Sequence, residues 1–328
     1  MTNNSTSVRL IWIDWMKTIG MYFIVLGHFF TYGHKYIYIF SVPVFFLISG
    51  FLSKKETENK QFWKKLIHNL IIPMSLICII YFIINSIKIP IYHVFSYNRI
   101  KFYLINSVLG FQSSLGTLWF VYTLALLKII YQFTPNKIMN ILFFVLSLIG
   151  AYLYNNPTII QNQPIFYVPN AITNTLVAYP FFIIGIYLRK HIEIISTYNH
   201  LPSQIIGLSV CVITIIICGH YNGKVWMYHA GYGNNIVLFL IGGLAGSIAI
   251  FLISKALSCY SFKWTFLISK GTIIILGFHV YIIWFIRKYI EGPSFVDFIL
   301  SILIILVFIP LIHFLERYCP IFIGKYKN

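Results

Sequence analysis

The chain has 328 residues, of which 59% are hydrophobic and only 9% are charged. A soluble domain usually carries about 25% charged residues, so this composition excludes an ordinary soluble enzyme. The formal net charge of +17 would suggest a nucleic-acid partner for a soluble protein. Here the basic residues lie between apolar segments, so we expect them to set membrane topology and expect no nucleic-acid partner.

Apolar segments of roughly 20 residues recur along the whole chain, and each is long enough to cross a bilayer as a helix. The sequence therefore predicts an all-α, polytopic transmembrane helical bundle that forms a single membrane domain over residues 1–328. We count about ten spans. They are 10–31, 37–53, 69–87, 114–131, 138–154, 170–188, 204–219, 235–254, 271–287 and 295–315.

The basic residues also predict the orientation. Of the 24 Lys and Arg residues, sixteen fall in segments on the same side as the termini, seven fall on the other side, and Lys17 lies within the first span. Because cytoplasmic segments carry an excess of Lys and Arg, both termini are predicted to be cytoplasmic. Asp14 and Lys17 interrupt the apolar start, so we expect a retained first span instead of a cleaved signal peptide.

The cysteines and histidines give no sign of a disulfide framework or a metal site. Cys211 and Cys218 are seven residues apart in one predicted helix, roughly 10 Å along its axis, which is too far for a disulfide. The ten histidines contain no HExxH pattern, so we expect no metal. A GxSxG nucleophile motif is also absent.

Two ionisable residues lie in the first span, where such residues are costly and indicate a functional site. Lys17 and His28 are eleven residues apart. At about 100° per residue they share one helix face, separated by roughly 16 Å. Gly20 and Gly27 leave room beside that face. The alternatives are a Lys17 that extends to the membrane interface and a His28 that is a hydrogen-bonded core residue.

This arrangement suits a long ligand with an anionic head and a reactive tail, such as coenzyme A. The ordinary pKa of imidazole lies near neutral pH, so His28 is a candidate general base. Asp14 is close enough in sequence to pair with Lys17 at i,i+3. Asp14 lies roughly 21 Å from His28 along the axis, so the residue that orients His28 must come from another span.

Several segments follow one another in a recognisable order. The first two spans contain RLIWIDWMKTIGMYFIVLGHFF and FSVPVFFLISGFL, and later segments read GTLWFVYTLALL, YPFFIIGIYLRK, NGKVWMYHAGYGN and ISKGTIIILGFH. Together they resemble the acyltransferase family 3 membrane proteins, and the fucose 4-O-acetylase-like group looks like the nearest branch. The family begins with an Asp-containing segment, a basic residue, ten intervening residues and a His, which here are Asp14, Lys17 and His28.

The resemblance implies transfer of an acetyl group from cytoplasmic acetyl-CoA to a sugar hydroxyl, with His28 as the essential catalytic residue and with Lys17 and Asp14 as further members of the catalytic motif. It implies a surface polysaccharide or lipid-linked glycan as acceptor, no permanently bound cofactor, and a multi-pass location in a bacterial inner membrane, in contact with lipid. Many members have Arg where this chain has Lys17, and Lys lacks the bidentate fork of Arg. Lys64 and Lys65 are candidates for a cationic coenzyme A entrance; an ordinary cytoplasmic cluster is the alternative.

Four residues are candidates for substrate binding. His279 falls in the ninth span at a family-like position, where it lines the cavity, orients another group or only packs in the core. Trp119 either stacks on a sugar ring or belongs to an interfacial aromatic belt. Asn222 and Lys224 belong to the segment NGKVWMYHAGYGNN, which either contacts the acceptor or forms turns.

Two alternatives of function stay open at this stage. A glycolipid or polysaccharide transporter without acyl chemistry would also place polar residues near the membrane centre. An acyltransferase with a succinyl or longer acyl donor would use the same residues.

In the connection 88–113, Lys88, Arg99 and Lys101 are candidates for contact with a lipid-linked diphosphate or with ordinary lipid headgroups.

Overall fold

A computed structural model of the protein describes residues 9–86, 97–111, 115–155, 170–192, 195, 200–290, 292 and 295–325. These residues form helices and no strand. The helices are α1 (Ile11–Phe29), α2 (His34–Ile37), α3 (Pro43–Leu52), α4 (Asn59–Ser86), α5 (Tyr97–Leu109), α6 (Trp119–Phe133), α7 (Lys137–Asn155), α8 (Asn170–Arg189), α9 (Leu201–Asn222), α10 (Ile236–Ala256), α11 (Lys263–Lys270), α12 (Thr272–Ile286) and α13 (Val296–Tyr318).

The all-α membrane prediction is confirmed, since six of the described helices are long and apolar enough to cross a bilayer, or seven if α11 and α12 form one bent span. The helix α1 is not among the six. Its Asp14, Lys17 and His28 lower its hydropathy. The count of about ten spans and the cytoplasmic termini stay predictions.

Two features of the described chain differ from a set of straight spans. The helix α3 has ten residues, because the predicted second span begins with turns and regular helix starts only at Pro43, a residue favoured in a first helical turn. The helices α11 and α12 meet at Gly271 with a bend of 84°. A Cβ on Gly271 would overlap the Ile312 side chain, so only glycine allows α13 to pack against this break.

Part of the predicted connection 88–113 is the helix α5. It carries exposed apolar side chains such as Phe102 and Val108 between polar residues, which hides it from a search for continuous apolar runs. Lys88 and the side chain of Arg99 lie outside the described residues, so their predicted lipid contacts stay predictions.

The helices α3 and α8 pack closely through two glycines. A Cβ on Gly50 would overlap the Phe182 carbonyl oxygen, and a Cβ on Gly185 would overlap the Leu47 carbonyl oxygen. Close approach through small residues is the usual means of helix association in membranes. This pair supports one side of α1.

The helix α1 lies at the centre of the bundle, against α3, α10, α11, α12 and α13. Its buried side chains include Met16, Met21, Val25 and Phe29. The last turn of α1 is held by Arg287, which donates to the Phe29 carbonyl oxygen at 2.6 Å and to Asp297 Oδ2 at 2.7 Å. Arg287 directly follows α12 and Asp297 lies in α13, so these two bonds connect the end of α1 that carries His28 to both neighbouring helices.

Candidate active site

A cavity of about 560 Å³ lies at the end of the bundle where α1 ends, which we call the His28 end. Residues from α1, α2, α4, α6 and α12 and from three connecting segments line it, among them His28, Tyr38, Tyr81, Trp119, Lys224 and Trp226. Aromatic rings dominate its walls, and the described residues that line it include no Asp or Glu. The cavity can therefore hold a ligand with both apolar and polar faces.

His28 belongs to the last turn of α1, and its side chain is exposed to the cavity. Its Nδ1 lies 3.3 Å from the Tyr38 hydroxyl oxygen. The two rings meet edge to face, with 5.7 Å between their centres. Tyr38 directly follows α2, so it is the orienting partner from outside the first span that the sequence requires without identifying.

Two neighbours hold the Tyr38 ring beside α1. Gly27 lets the ring approach, because a Cβ at this position would crowd two of its carbon atoms. His34 stacks on the other side of the ring, with 4.6 Å between ring centres and 21° between their planes. The sequence indicated free space beside Gly27, but it did not indicate which side chain fills that space.

His279 is fully buried in α12, and its ring centre lies 5.0 Å from that of His28. Its Nδ1 is 2.8 Å from the Ile275 carbonyl oxygen. A carbonyl can only accept, so Nδ1 carries a hydrogen and the other nitrogen, Nε2, has the free lone pair of a neutral imidazole. Nε2 has no hydrogen-bond partner among the described residues. His279 thus lies beside His28 within the core.

Another part of the cavity wall is held together by two hydroxyl groups. The Tyr81 hydroxyl donates to the Gly277 carbonyl oxygen at 2.5 Å and lies 3.1 Å from the Thr117 hydroxyl oxygen. Thr117 in turn donates to the Leu276 carbonyl oxygen at 2.7 Å. These bonds join α4, the turn before α6, and α12, and so place Trp119 in the cavity wall.

The segment that carries Lys224 is anchored by buried amides. Asn222 is fully buried; it donates to the Tyr232 carbonyl oxygen at 2.8 Å and accepts from the Asn235 backbone at 2.7 Å. Asn174 of α8 donates to the Met227 carbonyl oxygen at 2.8 Å. Asn222 therefore shapes the segment from within the core and does not line the cavity, so its predicted contact with the substrate stays a prediction.

The predicted residues near the start of α1 lie elsewhere, at what we call the Arg9 end. Asp14 pairs with Arg9 at 2.6 Å instead of with Lys17, because Arg9 reaches back over the first turn of α1. Lys17 is partly buried and close enough to both Asp14 and Lys128 for their charges to interact, although it forms no ion pair with a described residue. None of these residues lines the cavity.

Lys64 and Lys65 are exposed in the first part of α4. The Lys65 ammonium pairs with Glu56 at 2.7 Å, and neither lysine lines the cavity. The structure thus brings together His28, His279, Trp119 and Lys224, and it leaves Lys17, Lys64, Lys65 and Asp14 away from them. Among the described residues, no cluster of His, Cys, Asp and Glu is arranged to hold a metal ion.

Comparison with known proteins decides the family. The family model for the acyltransferase 3 type of acyltransferase domain matches residues 10–315, nearly the whole chain. The chain belongs to the acyltransferase 3 family. No curated protein and no solved structure matches it significantly. The protein is therefore a membrane acyltransferase with a cavity at the end of α1 that carries His28.

Proposed function

We propose that this acyltransferase 3 protein transfers an acetyl group from acetyl-CoA to a hydroxyl group of a sugar, on a surface polysaccharide or a lipid-linked glycan. The observation that carries the proposal is the pair formed by His28 and Tyr38 in an aromatic cavity, with 3.3 Å between Nδ1 and the hydroxyl oxygen. An imidazole oriented in this way has the geometry of a general base.

In the proposed reaction, His28 Nδ1 keeps its hydrogen and donates a hydrogen bond to the Tyr38 hydroxyl oxygen. The other ring nitrogen, Nε2, then has a free lone pair. This lone pair removes the proton from the acceptor hydroxyl as its oxygen attacks the thioester carbon. The carbon–sulfur bond then breaks, and the coenzyme A thiolate takes the proton from the His28 imidazolium. A covalent acetyl-His28 intermediate is the variant in which the imidazole attacks first.

The donor would enter from the Arg9 end, which we assign to the cytoplasm. Lys17 supplies an ammonium without an ion-pair or hydrogen-bond partner among the described residues, and Lys64 and Lys65 add exposed positive charge at the same end. Ammonium groups bind phosphates as point charges. The roughly 16 Å between Lys17 and His28 would be spanned by the pantetheine arm.

The acceptor would bind in the cavity from the opposite end. Trp119 and Trp226 offer faces for sugar rings, and Lys224 and His34 offer polar groups beside them. A transporter without chemistry remains the alternative of a different class, and membership of an acyltransferase family counts against it.

The test is an incubation of purified protein with acetyl-labelled acetyl-CoA and a crude glycan-lipid extract. We compare the parent with His28→Ala and with His313→Ala, a control histidine exposed on α13. We expect label on the glycan fraction with the parent and the control, and its loss with His28→Ala while coenzyme A binding persists.

Other outcomes separate the alternatives. Equal transfer by His28→Ala and the parent would remove His28 from catalysis and favour His279. Transfer from succinyl-CoA alone would retain the enzyme and change the donor. Movement of sugar across vesicles without release of coenzyme A would favour the transporter.

A further inference from the structure

The electrostatic character of the cavity is set by one residue. Lys224 is the sole Lys or Arg among the described residues that line it, and no Asp or Glu accompanies it there. The Lys224 ammonium has no ion pair with a described residue. An uncompensated charge beside low-dielectric walls attracts ions of the opposite sign.

The position of this ammonium is built into the fold. Its nitrogen lies 4.0 Å from the centre of the Trp226 ring, which also lines the cavity. Trp226 is held in place by reciprocal backbone hydrogen bonds with Gly231, at 2.7 and 3.0 Å. The buried amides of Asn174 and Asn222 fix the same segment from α8 and α9. A charge that is already oriented loses little freedom when it binds a ligand.

The field of Lys224 reaches another wall of the cavity. Burial lowers the pKa of His34, and the positive charge of Lys224 lowers it further. Tyr38 and His28 also face His34, and neither supplies a negative charge at neutral pH. The region between Lys224 and His34 is therefore positive and lacks a protein anion among the described residues.

We propose that the acceptor carries a negatively charged group, a carboxylate or a phosphate, that binds the Lys224 ammonium. This inference rests on the proposed function and names the chemical class of its acceptor. A neutral sugar would leave the ammonium without a partner in the filled cavity. An acidic sugar unit and a sugar on a lipid diphosphate both supply the required charge. In both, an anionic group lies next to the sugar ring that would stack on a tryptophan of the cavity.

The chain offers a matched control for Lys224. The Lys288 ammonium also lies 4.0 Å from a tryptophan ring centre, that of Trp284. Both lysines are exposed, but Lys288 does not line the cavity. The two therefore share a cation–π contact and differ in access to the proposed acceptor site.

The experiment measures equilibrium binding by calorimetry, without acetyl-CoA, so that it does not depend on catalysis. The first pair of probes is trigalacturonic acid and its neutral, carboxyl-reduced counterpart. The second pair is N-acetylglucosamine on farnesyl diphosphate and the farnesyl glycoside of the same sugar. The first pair tests an acidic sugar, and the second tests a charged lipid carrier.

We expect the parent to bind the charged member of at least one pair about tenfold more tightly, and added NaCl to reduce this preference. Lys224→Met should remove the preference, Lys224→Arg should keep it, and Lys288→Met should leave it unchanged. The proposal is overturned if the parent shows no preference in either pair, or if the preference survives in Lys224→Met.

A transfer assay with the same probes separates this inference from the proposed function. Acetylation of neutral and charged probes with equal kcat/KM would retain the enzyme and reject the charged acceptor. Tight, Lys224-dependent binding of a charged probe without transfer from any acyl-CoA would retain the anion site and reject the proposed reaction.

Discussion

An Arg–Asp ion pair lies at each end of α1. The nitrogen–oxygen distances of the two pairs are nearly the same, but their burial differs. Arg9 and Asp14 are 2.6 Å apart, with side chains 44% and 11% exposed. Arg287 and Asp297 are 2.7 Å apart, with side chains 21% and 0% exposed. This difference in exposure shows that the ion pair at the His28 end belongs to the core, whereas the ion pair at the Arg9 end stays partly open to solvent.

The contacts around each pair follow the same division. Arg287 also binds the Phe29 and Gly292 carbonyl oxygens and lies over the Phe29 ring at 4.1 Å. Arg9 has one further described contact, the face of Phe266 at 3.6 Å. We expect the network of several bonds to keep the His28 end rigid, and the simpler ion pair to leave the Arg9 end the more open of the two to the proposed donor.

The largest effect is expected from Arg287→Ala. The substitution leaves the Asp297 carboxylate buried without its cation, which typically costs about 3–5 kcal/mol. We expect a marked drop in thermal unfolding temperature in detergent and a small effect for the exposed neighbour Lys288→Ala. The double variant Arg287→Ala/Asp297→Ala should lose less than the sum of the two single variants. Equal stability of Arg287→Ala and Lys288→Ala would break the comparison.

The second prediction concerns the orientation of His28. Tyr38→Phe keeps the ring and removes the hydroxyl, so we expect kcat to fall about tenfold to a hundredfold with KM for both substrates little changed. Tyr36→Phe is the control, because Tyr36 does not line the cavity. Gly27→Ala should reproduce the loss by displacing the ring. If Tyr38→Phe behaves like Tyr36→Phe, His28 is oriented by another group.

Lys17 at the Arg9 end is expected to affect donor binding more than the chemical step. Lys17→Met removes an ammonium assigned to the donor phosphates, so KM for acetyl-CoA should rise about tenfold and kcat should change less. Lys60→Met, an exposed lysine in the first turn of α4, serves as control. Steady-state kinetics with varied acetyl-CoA measure both. A loss confined to kcat would place Lys17 in the chemistry instead.

The smallest effect is expected from Asp14→Asn. The Asp14 side chain is only 11% exposed, but its partner Arg9 is 44% exposed and screened by water, so we expect this pair to contribute less than the Arg287–Asp297 pair. We expect a small change in unfolding temperature and transfer activity within about twofold of the parent, because Asp14 lies roughly 21 Å along the axis from His28. Severe loss of activity with an intact fold would support the catalytic role predicted for Asp14 from the sequence.

The sequence predicted the all-helical membrane fold, because long apolar runs must satisfy their backbone groups within a membrane. It left three roles open for His279, namely lining the cavity, orienting another group or packing in the core, and the structure places its ring 5.0 Å from that of His28. It did not predict Tyr38 as the partner of His28. That contact depends on how the segment between α1 and Tyr38, which includes α2, folds back onto Gly27. Nor did it distinguish Asn222 from Lys224, because burial separates two residues that are neighbours in one polar segment.

In the proposed reaction, the single helix α1 connects a donor entrance at its start with a reaction centre at its end. The most direct measurement is a cryo-electron microscopy structure of the protein bound to the thioether analogue of acetyl-CoA, which cannot transfer its acyl group. We predict the acyl end in the cavity beside His28 and the phosphates near Lys17. An analogue whose acyl end lies outside that cavity, or whose phosphates bind at the His28 end, would contradict the account.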